Sequence, residues 1–116
     1  MIGEYHFGAL DAGPLASGLK AVPTQKDRGI AVRAYIEKTA VHPNGVGCHY
    51  FEYSDQFALG RFDGENYNIG LYDICLQPYQ DLIDEIRDCA AEVYEIAAGE
   101  KAPAELEVRQ SNVVAY

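Results

Sequence analysis

Six carboxylates, Asp81, Asp84, Glu85, Asp88, Glu92 and Glu95, fall between Pro78 and Ala98 with Arg87 as the single basic residue among them. On a helix they share one face, where like charges three or four residues apart repel by about 0.2–0.5 kcal/mol per pair. Three kinds of chemistry use such a row. Paired acids for hydrolysis need one carboxyl desolvated and the other kept ionised, whereas a solvated stripe gives every member the same environment. A calcium site wants a loop that wraps the ion, and no D-x-D-x-D-G pattern is present. Recognition of positive charge remains: carboxylates at each turn, about 5–6 Å apart, match the spacing of phosphates along a nucleic-acid strand and suit a lysine- or arginine-lined groove.

The other reactive residue types form no motif. His6, His42 and His49 lie in separate segments without metal-ligand spacing, and Cys48 and His49, as neighbours in a strand, point to opposite faces. Cys48, Cys75 and Cys89 are odd in number and lack C-x-x-C spacing, so neither a disulfide framework nor a zinc site is expected. Nucleotide-binding glycine loops and the G-x-S-x-G elbow are absent. The sequence therefore predicts no catalytic residue, no metal and no cofactor. Nine tyrosines with no tryptophan suggest interface anchors, and Tyr35 and Tyr53 are the candidates, on the strand face away from the aliphatic residues.

Charge narrows the partner further. The net charge is −9, and the first forty residues carry five basic against four acidic side chains, so all of the excess lies beyond them. Direct binding to nucleic acid or to an anionic membrane is disfavoured, while a basic protein surface would be attracted quickly and with strong salt dependence. No apolar run approaches the ~20 residues of a membrane span, and the reduced-thiol pattern fits a cytoplasmic protein.

The elements that would position these residues make up one domain, 1–116. Residues 1–28 form a Gly/Pro-rich arm with a short strand near Glu4–Leu10 and a helix near Pro14–Lys20. From Gly29 the alternation of Ile30, Val32, Ala34 and Ile36 predicts a strand to about Val41. Asn44-Gly45 reads as a hairpin turn into a strand at Val46–Tyr53, followed by strands at Phe57–Phe62 and Tyr67–Ile74. A long helix over 78–98 opens at Pro78 and closes at Gly99, with Leu82, Ile86, Cys89 and Val93 on its buried side. An edge strand is expected over 105–110.

The expected fold is thus α+β, an antiparallel β-meander of four to six strands with one amphipathic helix across one face. The expected function is a non-enzymatic protein-binding module, an inhibitor or adaptor presenting the acidic helix to a basic, nucleic-acid-handling protein. Phage-type anti-CRISPR and DNA-mimic inhibitors are similar in composition. A rival reading is a small-ligand protein or enzyme with a pocket between the arm and the sheet, using Tyr5, His6, His49 and Arg61. A third is a homo-oligomer, such as a homodimer, joined through the Val113–Tyr116 tail.

Overall fold

The computed structural model describes residues 1–112 as two short strands and two helices, in the order β1 (Ile2–Tyr5), α1 (Gln25–Val41), β2 (Cys48–Tyr50) and α2 (Gln80–Ala97). The strands pair in parallel, Ile2 opposite Cys48 and Tyr5 opposite Tyr50. A parallel pair needs a crossover rather than a hairpin, and α1 supplies it. The antiparallel meander is therefore corrected to a β–α–β–α arrangement with a two-stranded sheet.

The largest departure from expectation is α1, which occupies the span read as the first strand. Its buried residues include Arg28, Ala31, Val32, Ala34 and Glu37, while Lys26 and Lys38 are exposed. With polar and charged side chains buried among the apolar ones, the segment shows no clean helical stripe, and the chance alternation of Ile30, Val32, Ala34 and Ile36 imitates a strand. The helix start is nonetheless written locally. Thr24 is the N-cap, its hydroxyl accepting from the Asp27 N–H at 3.2 Å, and Asp27 sits where a capping box has its acidic residue. At the other end, the Gly45 N–H donates to His42 O at 2.8 Å. The Asn44-Gly45 turn thus ends a helix instead of joining two strands.

The remaining predicted strands are loops. Within Val46–Tyr53 only Cys48–Tyr50 is a strand, and Phe57–Phe62 has no regular pairing. Tyr67–Ile74 makes isolated bridges, Tyr67 to Ala16 and Tyr72 to Ser54 and Pro78. Residues 14–20 are not helical. The 105–110 segment runs along α1 through side-chain bonds rather than as an edge strand: Ala104 N–H donates to Glu37 Oε2 at 2.7 Å, and Arg109 holds Asp27 through two bonds of 2.8 Å. The Val113–Tyr116 tail lies outside the described residues.

Helix α2 falls within the span read from its apolar period. Leu82, Cys89 and Ile96 are buried and Ile86 and Val93 half-buried. It begins at Gln80, after an N-cap at Tyr79, rather than at Pro78. At its end Gly99 adopts φ +76°, the Gly99 N–H donates to Ile96 O, and the Glu100 N–H donates to Glu95 O. This is the paired bonding of a Schellman cap, which needs a residue at ease in the left-handed region. The apolar face meets chiefly α1, and Leu82 and Ile86 share a core cluster with Tyr5 of β1 and Tyr50 of β2. The helices come closest at Gly29, where an added Cβ would stand 2.9 Å from Asp81 O and from the Glu85 side chain. No helix among the described residues is long and apolar enough to cross a membrane.

Arg28, with no solvent exposure, ties these parts together. Its Nε donates to Phe7 O at 2.8 Å, Nη1 to Gln25 Oε1 at 2.6 Å, and Nη2 to Gly70 O at 2.7 Å and Tyr50 Oη at 3.0 Å. One side chain on α1 thus fixes the end of β1, the side chain of β2 and a loop residue far along the chain. Arg28→Met is expected to destabilise the fold by about 3–5 kcal/mol, because four acceptors lose a donor in a dry interior. Urea unfolding measures this, and a loss below about 1 kcal/mol would contradict the role assigned to Arg28.

Candidate functional site

In parallel α/β arrangements ligands bind at the carboxyl ends of the strands, where the connecting loops converge. Here those ends are Tyr5 and Tyr50, and both side chains face the helices. The Tyr5 ring stacks on Tyr35 of α1 with centroids 4.3 Å apart, and burial beside Cys48 pushes its hydroxyl well above the ordinary tyrosine range. Tyr50 bonds Arg28 and donates to Ile69 O at 2.8 Å. Glu4, beside Tyr5 at the end of β1, and His49 of β2 are both exposed, and the register between the strands shifts between Ile2 and Tyr5. Glu4 makes no hydrogen bond or ion pair among the described residues.

His6 follows Glu4 by two positions. Its Nε2 accepts the Leu19 N–H at 3.1 Å, which places the ring proton on Nδ1 and holds the 6–24 loop against the strand end. Burial lowers its proton affinity, the negative charges of Glu4 and Glu65 act in the opposite sense, and Arg28 adds to the lowering. Glu65 belongs to a second group gathered on Arg61. That guanidinium meets Asp63 at 2.6 Å, Glu65 at 3.0 Å and Glu52 at 4.0 Å. Gln56 also donates to Glu65 at 2.9 Å, with its own oxygen accepting the Tyr67 N–H. The His6 ring lies 6.1 Å from that of Tyr67, so the strand end and the 51–79 loop connect His6 through Tyr67 and Gln56 to Glu65, Arg61 and Glu52.

A buried polar chain keeps the two loops in place. Asp55 accepts from the Tyr79 hydroxyl, from Asn68 Nδ2 at 2.9 Å and from the Gly70 N–H at 2.8 Å. Asn68 Oδ1 accepts from Gln25 at 2.7 Å, and Gln25 in turn accepts from Arg28 and donates its backbone N–H to Asp11. Burial, and the Asp55 carboxylate beside it, push the Tyr79 hydroxyl well above its usual range. Between the loops lies a cavity of about 360 Å³, lined by Pro14, Leu15, Asp55 and Ile74 among others. A cavity of about 490 Å³ opens beside β1, with Glu4, His6, Lys20 and Tyr35 on its walls. Among the described residues no three His, Cys, Asp or Glu side chains are grouped to hold a metal ion.

The sequence-derived candidates lie elsewhere. Of the acidic row, Glu85, Asp88 and Glu92 all reach Arg33 of α1, at 3.4, 3.8 and 3.4 Å, and Glu92 also pairs with Lys101. Asp84 pairs with Arg87 at 3.2 Å, while Asp81 and Glu95 are exposed. Much of the stripe is thus turned to the seam between the helices. Tyr35 is half-buried under Tyr5, and Tyr53 is exposed but stacked on Tyr72 at 4.9 Å. Of the rival pocket's groups, Tyr5 and His6 line the cavity beside β1, and Arg61 belongs to the loop cluster. Glu4, Glu52 and Glu65 carry no motif in the sequence, and Glu52 and Glu65 meet only on Arg61.

No family model matches the chain. Among curated proteins it is 40% identical over 95 residues to β-agarase A of Vibrio sp. (strain JT0107) and 38% identical over 95 residues to β-agarase B of the same organism. Each match covers 81% of this chain and 10% of the relative. The crystal structure of an agarase is 41% identical, with a TM-score of 0.78 over 81% of this chain and 15% of that one. An exo-β-agarase is 38% identical, with a TM-score of 0.81 over 84% of this chain and 13% of that one. The chain spans about a tenth of the length of the curated relatives it matches. These likenesses overturn the inhibitor reading: the chain corresponds to a segment of carbohydrate-active enzymes, not to an anti-CRISPR or DNA-mimic protein, and a basic nucleic-acid-binding partner is withdrawn.

The geometry of His6 has a pH signature. A depressed pKa means that the folded chain binds fewer protons than the unfolded one between that value and the ordinary 6.5. Stability is therefore full above 6.5 and declines as pH falls toward the depressed value. His6→Gln keeps an acceptor for the Leu19 N–H and removes the titration. The wild type is expected to lose stability relative to this variant between about pH 7.5 and pH 5.5. Urea midpoints across that interval measure it, and parallel pH profiles would refute it.

Proposed function

We propose that this chain works in a glycoside hydrolase acting on agarose, forming part of the wall of the sugar site at the strand ends, with Glu4 as one of the two reacting carboxylates. The observation that carries this reading is the 40% identity over 95 residues to a β-agarase. The position of Glu4 supports it: a carboxylate near the carboxyl end of a parallel strand, exposed, on the wall of a cavity and without an ion pair among the described residues, is accessible to a substrate. Glycosidases use two such groups on either side of the scissile bond. Glu52, Asp63 and Glu65 are instead engaged by Arg61, which suits them to orienting hydroxyl groups rather than exchanging protons.

The remaining residues act through position. Arg28 and the Asp55–Tyr79–Asn68 chain hold the loops, so hydroxyl-binding groups meet the sugar without reordering. His6 is kept neutral by burial and by accepting the Leu19 N–H, which leaves its Nδ1–H as a donor, and it lines the same cavity as Glu4.

A chimera tests the reading. When the matching 95-residue stretch of a β-agarase is replaced by that of this chain, agarose hydrolysis is expected to persist. Glu4→Gln in the chimera is expected to lower kcat by at least about 10²-fold with little change in thermal stability. A folded but inactive chimera, or full activity with Glu4→Gln, would overturn the assignment.

A further inference from the structure

The loop between Phe57 and Glu65 exposes more apolar surface than a connector needs: Phe62 is 98% exposed, and Phe57 and Leu59 are also open to solvent. Arg61, the neighbour of Phe62, is held in place. The Arg61 guanidinium carbon lies 5.9 Å from the Phe62 ring centre and 5.4 Å from that of Phe51. Phe51 packs on the second core cluster of Ala16, Tyr67 and Ile69. Three carboxylates, Asp63, Glu65 and Glu52, grip the same guanidinium. The loop is also closed by its backbone, with the Arg61 N–H donating to Glu65 O at 2.8 Å and the Gly64 N–H to Arg61 O at 2.9 Å. A ring carried on an ordered loop beside a held guanidinium needs no backbone rearrangement when a ligand lands on it.

Resting on the reading above, we propose that Phe62 is a stacking platform for a pyranose ring of the polysaccharide, away from the bond being cleaved, with Arg61 as its positioning residue. Continuity with the strand ends supports this. The His6 ring centre lies 6.1 Å from that of Tyr67, the Tyr67 N–H donates to Gln56, and Gln56 donates to Glu65, which holds Arg61. The occupant follows from the chemistry. The negative face of the ring attracts the weakly positive C–H hydrogens on one face of a sugar, while Glu52 and Asp63 beside it can accept from hydroxyl groups. Three carboxylates against one guanidinium repel an anion, so the platform takes a neutral sugar rather than a sulfated or carboxylated one.

Calorimetric titration of the full chain with neutral agaro-oligosaccharides of increasing length tests the proposal. Phe62→Tyr is expected to bind as the wild type does. Phe62→Leu and Phe62→Ala are expected to lose about tenfold in affinity for long oligosaccharides and nothing for the shortest that bind. Arg61→Met should copy that length-dependent loss although Phe62 is present, with an unchanged circular dichroism spectrum. Equal binding by wild type, Phe62→Leu and Phe62→Ala overturns the platform and leaves the agarase reading standing; so does a loss that is the same at every length. Tighter binding of a sulfated oligosaccharide overturns the choice of a neutral sugar. Failure of the wild type to bind any agaro-oligosaccharide overturns both readings.

Discussion

The fold depends on a buried guanidinium that has no carboxylate within ion-pair distance among the described residues. Arg28 is satisfied by backbone carbonyls of Phe7 and Gly70, the Gln25 amide and the Tyr50 hydroxyl. Its charge is answered at a distance, through Gln25 and Asn68 to the buried Asp55, and by the Tyr79 ring, over which it lies at 5.4 Å. Separating the two charges by neutral hydrogen-bonding groups spreads the polarisation over a chain of bonds and leaves no buried side-chain nitrogen or oxygen without a partner among the described residues. Such a network tolerates few rearrangements, because moving any member strands the others. This is why loops lacking regular pairing can still be placed accurately at the strand ends.

Ion pairing across the helix seam explains the feature that dominates the sequence. A row of carboxylates on an isolated helix repels itself, but here Arg33, 13% exposed, draws in Glu85, Asp88 and Glu92 while also holding Glu37 at 2.7 Å. Four carboxylates around one planar guanidinium link α2 to α1, and Lys101 takes a share of Glu92 from the far side. The row therefore needs no outside partner to account for much of it. Sequence alone could not reveal this, since Arg33 stands more than fifty positions from Glu85.

What was legible follows from which interactions are local. Helix α2 was readable because its apolar side chains recur with the helical period and Gly99 marks its end. Helix α1 was not, because its burial is decided by Arg28, Asp27 and Glu37, whose partners Gly70, Arg109 and Ala104 lie far along the chain. Thr24 and Asp27 have the spacing of a capping box, a local helix signal that the strand reading of the residues after Gly29 left unused. Likewise Tyr67–Ile74 has the composition of a strand, and its backbone groups do make bonds, to Ala16, Tyr53 and Gln56 Oε1 among others, without forming a ladder. The site was the least visible part. His6 and Glu65 are connected only in the folded chain, through Tyr67 and Gln56, a relation no local pattern encodes.

Arg61 repeats at the surface what Arg28 does in the interior. Both use a planar fork with several donors, so one side chain fixes several acceptors in direction as well as distance, and both lie over aromatic rings. A lysine in either place would supply the charge without the plane. The inner fork sets the backbone, through Phe7 and Gly70; the outer one sets side chains, through Glu52, Asp63 and Glu65. Between them stands Phe51, bonded by its N–H to Tyr5 O and packed on the second core cluster. Rigidity thus passes outward from a dry core to an exposed ring. The exposed Phe62 ring lies where that series of contacts ends, beside the Arg61 guanidinium.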